Sequence, residues 1–147
     1  MTVTMQILFG SVVLIVCSIV HVSILVATVS VMRRLVKRIE GWSRPARTFG
    51  LLSLGFGAVV AAHTMQIWIW AFTLMASGAL ETFETAMYFA LVTSTTVGYG
   101  DLTLGESFRI FGAFAGVTGL LTFGLSTAIL VGLFERLLPK DRDTASL

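Results

Sequence analysis

Charged residues are scarce in this chain. They make up 12% of its 147 residues, whereas hydrophobic residues make up 56% and the mean hydropathy is +0.91. Ordinary soluble domains carry about 25% charged residues, so this composition excludes that class and indicates a membrane protein.

Cysteine and the common catalytic motifs are also nearly absent. The single cysteine, Cys17, lies in an apolar run and has no partner for a disulfide within the chain. The sequence has no zinc-type Cys/His spacing, phosphate-binding loop, dinucleotide fingerprint or nucleophile elbow. No basic tract with interleaved aromatic residues indicates a nucleic-acid partner. We therefore expect neither enzymatic activity nor an organic cofactor.

What the sequence does contain is long uncharged stretches. Residues 1–32, 48–80 and 110–134 have no Asp, Glu, Lys or Arg. Each exceeds the roughly 20 residues that span a bilayer core, so three membrane-spanning helices are predicted. The first stretch differs from a signal peptide, because no basic residue precedes it and its apolar run is too long. A retained helix is favoured.

Basic residues are distributed unevenly between the connecting segments. Six lie between the first and second spans and three follow the third, whereas only Arg109 lies between the second and third. The positive-inside rule then predicts a cytoplasmic C-terminus and an outer N-terminus in the cell (plasma or inner) membrane. The outward-facing link between the second and third spans is acidic, which would concentrate cations at its mouth. Its acidic residues are Glu81, Glu84, Asp101 and Glu106.

That outward-facing link contains a short helical pattern followed by an irregular segment. Residues 82–95 are predicted to form a helix, with Glu84 near its positive N-terminal end. This helix is too short to cross the membrane, so it should dip in and return. A re-entrant segment must be buried in protein or line water, because bare irregular backbone in lipid is too costly.

The segment that follows is Thr95-Thr96-Val97-Gly98-Tyr99-Gly100-Asp101. Consecutive backbone carbonyls from several copies of such a segment can form oxygen rings that replace the water around K⁺. All carbonyls must then point to one axis, which requires alternating backbone conformations. Gly98 and Gly100 can take positive φ without steric penalty. Because one chain supplies one loop, a closed ring requires a homo-oligomer.

This segment resembles the signature filter of tetrameric potassium channels. The order of elements resembles the small prokaryotic-type channels with an outer helix, a pore loop and an inner helix, over roughly residues 48–136. The resemblance implies an all-α membrane protein that forms a homotetrameric pore, with K⁺ as the permeant ion. The residues that would coordinate K⁺ are Thr96, Val97, Gly98, Tyr99 and Gly100.

The predicted division of the chain follows from the spans and the resemblance. It comprises an N-terminal transmembrane helix (1–32), a basic cytoplasmic link (33–47), a pore domain (48–136) and a short cytoplasmic tail (137–147). The pore domain comprises an outer helix (48–78), a pore helix (82–95), the filter (96–101) and an inner helix (107–136).

Several side chains around the filter are predicted to support it. Tyr99 is expected to pack against Tyr88 and Phe89 with its hydroxyl bonded. Some family members carry a Glu where this chain has Val92, so Asp101 needs another partner, such as Tyr88. Many members also have a Pro where this chain has Leu104. The remaining predicted supports are Thr93 and Thr95.

The inner helix contains the candidate cavity and gate residues. By the resemblance Gly119 is the candidate hinge, although close helix packing is the alternative interpretation of inner-helix glycines. Thr122, Ser126 and Thr127 are expected to face a water-filled cavity. The inner helices are expected to converge at a hydrophobic gate over residues 130–134, which ends at Phe134.

Two histidines lie within the predicted spans, His21 in the first and His63 in the second. Each is interpreted as a neutral interhelical hydrogen-bonding group or, alternatively, as a pH sensor of gating. His63 and Gln66 are three residues apart and so share a helix face.

The basic cluster after the first stretch is open to three interpretations. It can be a topological anchor, an anionic-lipid contact, or part of a voltage sensor; a sensor would place Arg inside the membrane, so the first two are favoured. The residues are Arg33, Arg34, Lys37 and Arg38.

Three alternative functions remain beside a potassium channel. A transporter subunit would carry four unlike pore loops on one long chain. A non-conducting or regulatory subunit, which needs a partner protein, would not require an intact filter. A weakly selective cation channel would commonly lack Tyr99.

Overall fold

The computed structural model describes residues 1–137, and these residues contain four α-helices and no strand. The helices are α1 (Val3–Arg38), α2 (Arg44–Ala76), α3 (Phe83–Ser94) and α4 (Arg109–Leu137). Helices α1, α2 and α4 are long and apolar enough to cross a membrane. The shortest of them, with 29 residues, is about 44 Å long, more than the roughly 30 Å of a bilayer core.

Local signals explain where the helices begin and end. The hydroxyl of Thr82 accepts the amide of Thr85 (3.2 Å) and caps the start of α3. Pro45 lies in the first turn of α2, where a missing amide costs nothing. Gly78, with φ of 73°, ends α2 by donating its amide to the Met75 carbonyl (3.0 Å).

The predicted boundaries differ from the observed ones mainly at the basic link. Helix α1 continues through Arg38 and α2 begins at Arg44, so only residues 39–43 connect them rather than 33–47. Hydropathy marks the edge of the apolar stretch, whereas the helix continues because basic side chains favour its negative C-terminal end. The outer, pore and inner helices differ from prediction by four residues or fewer at each end. The predicted tail, apart from Leu137, lies outside the described residues.

The packed core lies at one end of the helices, around α3. Trp70 and Leu74 of α2 are fully buried there with Phe111 of α4. Ala86 and Ala90 of α3 are also fully buried, and such small side chains let the helix backbones approach closely. Helix α3 packs against both α2 and α4, so one face of the re-entrant helix is buried in protein while the other face is exposed in the single chain.

The N-terminal helix α1 is joined to the start of α4 by one side chain. The first helical amides of α4 need acceptors outside the helix, and Gly105 provides one for Arg109 (3.0 Å). The Gln6 side-chain oxygen accepts the next two amides, from Ile110 (3.1 Å) and Phe111 (3.4 Å). Its nitrogen donates to the Glu106 carbonyl (3.2 Å). Gln6 therefore caps α4 from a different helix.

We expect Gln6→Leu to destabilise the protein, because it leaves the amides of Ile110 and Phe111 without an acceptor. An unsatisfied buried amide costs about 1–3 kcal/mol. The measurement is thermal unfolding of the purified protein in detergent, followed by circular dichroism. The control is Met5→Leu at the neighbouring exposed position. Equal melting temperatures for Gln6→Leu and wild type would contradict this role.

Candidate functional site

The segment after α3 has a backbone that alternates along the chain. Thr96, Gly98 and Gly100 have φ of 61°, 53° and 76°, while the residues between them have negative φ. This alternation turns successive carbonyls to the same side. Positive φ at both glycines agrees with the prediction, but positive φ at Thr96 was missed. A left-handed conformation costs about 1–2 kcal/mol in a residue with a Cβ, so sequence alone argues against it.

Hydrogen bonds to the end of α3 hold this strained backbone. The carbonyl of Val92 accepts the amides of both Val97 (3.1 Å) and Gly98 (3.2 Å). The amide of Thr96 donates to the Thr93 carbonyl (3.0 Å), and the Thr95 hydroxyl donates to the Leu91 carbonyl (2.7 Å). These bonds turn the amides of the loop toward α3.

The carbonyl oxygens of this loop have no such partners. Within residues 1–137, no hydrogen bond is accepted by a backbone carbonyl of residues 96–100. All five residues are solvent-exposed in the single chain. Carbonyl oxygens are hard ligands suited to alkali and alkaline-earth cations. The loop therefore offers a row of oxygens to a cation. The described residues contain no cluster of His, Cys, Asp and Glu that would hold a resident metal ion.

The outer end of the loop is joined to α3 through Asp101. The Tyr88 hydroxyl donates to Asp101 Oδ2 at 2.5 Å, the contact that the sequence predicts. The other carboxylate oxygen accepts the Leu102 amide (3.1 Å). The hydrogen bond to Asp101 raises the pKa of Tyr88, because it favours the protonated phenol that donates. Both ends of the loop are thus attached to α3.

The predicted packing of Tyr99 is wrong within the single chain. Tyr99 is 72% exposed and makes no ring pair or hydrogen bond with the described residues. Phe89 packs near Gly112 and Leu104 instead. The physical reason is that the loop extends away from the helices of its own chain. Val97 is also half exposed, at 51%, so one face of the site is uncovered.

Gly119 brings α4 into contact with the C-terminal end of α3. A Cβ built on Gly119 would overlap the carbonyl oxygen of Ser94, and one on Gly116 would lie 3.4 Å from the Thr93 oxygen. The two glycines therefore let α4 support the residues that lead into the loop. This is the packing interpretation of Gly119; the hinge interpretation stays a prediction.

The cavity prediction is wrong for two of its three residues. Thr122 is buried and donates to the Gln66 side-chain oxygen (3.1 Å), and Ser126 is buried between two histidines. Both lie on the face of α4 that packs against the other helices, four residues apart. Thr127 is exposed, because it is rotated by one residue from that face. Phe134 is 45% exposed near the end of α4.

The two histidines belong to one buried polar cluster. Ser126 Oγ lies 2.9 Å from Nε2 of His21 and 3.3 Å from Nε2 of His63. The histidine rings meet edge to face at a centroid distance of 4.9 Å. The cluster joins α1, α2 and α4, as the interhelical hydrogen-bond interpretation predicts. The role in pH sensing stays a prediction. Pairing among polar residues of different spans was the signal that would have placed Ser126 here.

Acidic and basic residues lie at opposite ends of the helical bundle. The Gln6 contact places the start of α1 beside the start of α4, next to the acidic loop region. The other end of the bundle carries the basic residues of α1 together with Arg136, which shares a groove with Arg33. The four basic residues Arg33, Arg34, Lys37 and Arg38 lie on the last two turns of α1.

Three apolar spanning helices and a buried re-entrant helix that ends in a loop of free carbonyls define a membrane ion channel subunit. Residues 59–136, just over half of the chain, match the model of a family described as "Ion channel". The chain therefore belongs to this ion channel family, which is not an enzyme class. The resemblance stated from the filter sequence is confirmed at the level of the family.

One curated protein is similar to part of this chain. It is the "Potassium voltage-gated channel protein shk-1" of Caenorhabditis elegans, 36% identical over 63 residues. The match covers 42% of this chain but only 12% of that protein. No solved structure matches this chain significantly.

We expect Gly119→Ala to destabilise the protein by about 1–3 kcal/mol, because the added methyl group pushes α4 away from Ser94. The matched control is Gly124→Ala on the same helix, where a Cβ meets no atom within 4 Å. That control should be neutral or up to about 1 kcal/mol stabilising. Thermal unfolding in detergent distinguishes the two. Equal melting temperatures for the two variants would show that the close contact between Gly119 and α3 does not contribute to stability.

Proposed function

We propose that this chain is the subunit of a potassium-selective channel that conducts K⁺ passively through a filter made by residues 96–100. The observation that carries the proposal is the row of carbonyls at 96–100, which accept no hydrogen bond within residues 1–137, while the amides of Thr96, Val97 and Gly98 are bonded to α3. A dehydrated K⁺ trades its water oxygens for these carbonyl oxygens at small net cost. The ion is cargo, so no resident cofactor is needed.

A ring of four identical chains completes the proposed filter. One chain contributes one row of oxygens, and its side chains at Val97 and Tyr99 are 51% and 72% exposed. Such apolar and aromatic surface suits contact with another copy around a rotation axis. Four copies is the number implied by the resemblance to tetrameric potassium channels.

The proposed path for K⁺ runs from the acidic end of the molecule to the basic end. Exposed acidic residues such as Glu81 and Glu84 raise the local cation concentration at the outer mouth. Ions then lose water at Tyr99 and Gly98 and leave by mutual repulsion. Thr127 faces the cavity, and the end of α4 through Phe134 forms the gate.

The proposed orientation follows from charge. The basic end of α1 and of α4 lies in the cytoplasm, and the N-terminus and the acidic loop lie outside the cell membrane. The histidine cluster is the candidate for proton-sensitive gating, and lipid, membrane tension and a separate regulatory protein are the other candidate sources of control.

Two alternatives are kept because the same loop supports them. A weakly selective cation channel would use the same carbonyls with poorer discrimination between K⁺ and Na⁺. A non-conducting subunit would keep the loop and require a partner to open.

The test is electrical recording of the purified protein in planar bilayers under opposed K⁺ and Na⁺ gradients, at two internal pH values. We expect single-channel steps that reverse near the K⁺ equilibrium potential. Reversal near zero would support the weakly selective channel. Silence of assembled protein at both pH values would support the non-conducting subunit.

A filter variant shows that the current passes through this loop. Gly98→Ala forces a Cβ into a backbone with φ of 53°, at a cost of about 1–2 kcal/mol in each copy, so we expect loss of K⁺ current. The matched control, Gly105→Ala, lies in open space without positive φ and should conduct normally. A normal current from Gly98→Ala would contradict the assignment of the filter.

A further inference from the structure

Two apolar grooves meet at Arg33, near the basic end of α1. The first has a volume of about 440 Å³ and lies between α1, α2 and α4. The second has a volume of about 310 Å³ and lies along α1 and α4 only. The two grooves share four lining residues: Leu25, Val29, Arg33 and Ile129.

The walls of both grooves are apolar apart from arginine. Thr28 in the first groove and Ser30 in the second donate their hydroxyls to carbonyls of their own helix, at 2.8 and 3.1 Å. Their polar groups are therefore satisfied. The remaining polar side chains are Arg33, which lines both grooves, and Arg136, which lines the first.

Neither arginine has a carboxylate partner among residues 1–137. The one ion pair in that part of the chain joins Arg109 to Glu106 at the opposite end. Two cations near the basic end of apolar grooves are complementary to a ligand with an anionic head and an apolar body. A guanidinium binds phosphate oxygens in bidentate fashion, which favours a phosphate head.

We propose that an anionic diacyl phospholipid occupies this site. Its phosphate binds Arg33 and Arg136, and one acyl chain lies in each groove on either side of the shared wall. The first groove extends along α1 from Val36 to Leu25 and the second from Arg33 to Val22, each about 16 Å at 1.5 Å per residue. These lengths match one leaflet, roughly half of a 30 Å bilayer core.

The site has a direct connection to α4. Leu130, Leu133 and Arg136 line the first groove on the last turns of that helix. A bound lipid therefore contacts both α1 and the end of α4. It favours the conformation in which the end of α4 packs beside α1. The assignment does not depend on the proposed conduction, because lipid binding is measured without ion flux.

The experiment is native mass spectrometry of the assembled protein after reconstitution in vesicles of equal phosphatidylcholine and phosphatidylglycerol, followed by extraction in mild detergent. We expect wild type to retain phosphatidylglycerol in preference to phosphatidylcholine. Arg33→Gln with Arg136→Gln should reduce this retention by roughly fivefold for each arginine. The matched control, Arg34→Gln with Lys37→Gln, removes the same charge from residues that line neither groove.

A second pair of variants tests the acyl chains separately from the charges. Val29→Trp fills the wall shared by both grooves and should abolish retention with both arginines present. Val31→Trp, at an exposed position outside the grooves, should retain lipid as wild type does. Retention by Val29→Trp at the wild-type level would overturn the placement of the acyl chains in these grooves. Equal retention of the two lipids by wild type, or equal losses in the arginine pair and its control, would overturn the proposal.

Discussion

The carbonyl of Val92 at the end of α3 is the acceptor on which the functional loop depends. It accepts two amides, from Val97 and Gly98, and so turns the polar hydrogens of the loop inward. Among residues 1–137 the carbonyls at 96–100 accept no hydrogen bond, and they are the groups that we propose to bind K⁺. The same bonds offset the conformational cost at Thr96, whose φ is 61°. Because α3 holds the loop, whatever positions α3 also positions the oxygens.

Two other helices position α3. Helix α4 approaches its C-terminal end through Gly119, and α2 covers its other side with Trp70 and Leu74. Helix α1 positions α3 indirectly, through α4. Gln6 of α1 caps the start of α4, and His21 of α1 contacts Ser126 of α4. The role of α1 thus extends beyond crossing the membrane: it supplies polar groups that α4 lacks. In an apolar environment those groups have no water to replace them.

The interpretations that failed have a common cause. Thr122 and Ser126 were expected at a cavity because hydroxyls are compatible with water, but they satisfy Gln66 and two histidines instead. Tyr99 was predicted to pack against Tyr88 and Phe89, and within the single chain it is exposed. In both cases the residue type indicated that the side chain has a partner but did not indicate which residue that partner is. A polar or aromatic side chain predicts that a partner exists, whereas helix rotation decides which partner it meets.

The sequence by itself determined the class of protein, the three spans, the short re-entrant helix and the loop segment that we propose as the filter. These follow from composition, from uncharged stretches longer than a bilayer core, and from a motif in which the glycine positions require positive φ. It also predicted the contact between Tyr88 and Asp101, because the carboxylate needed a nearby donor. Only the tertiary structure decided the partners of Gln6 and Ser126, the close contact at Gly119 and the left-handed backbone at Thr96. These depend on how separate helices face one another, and residues about 100 positions apart carry no local pattern that records it.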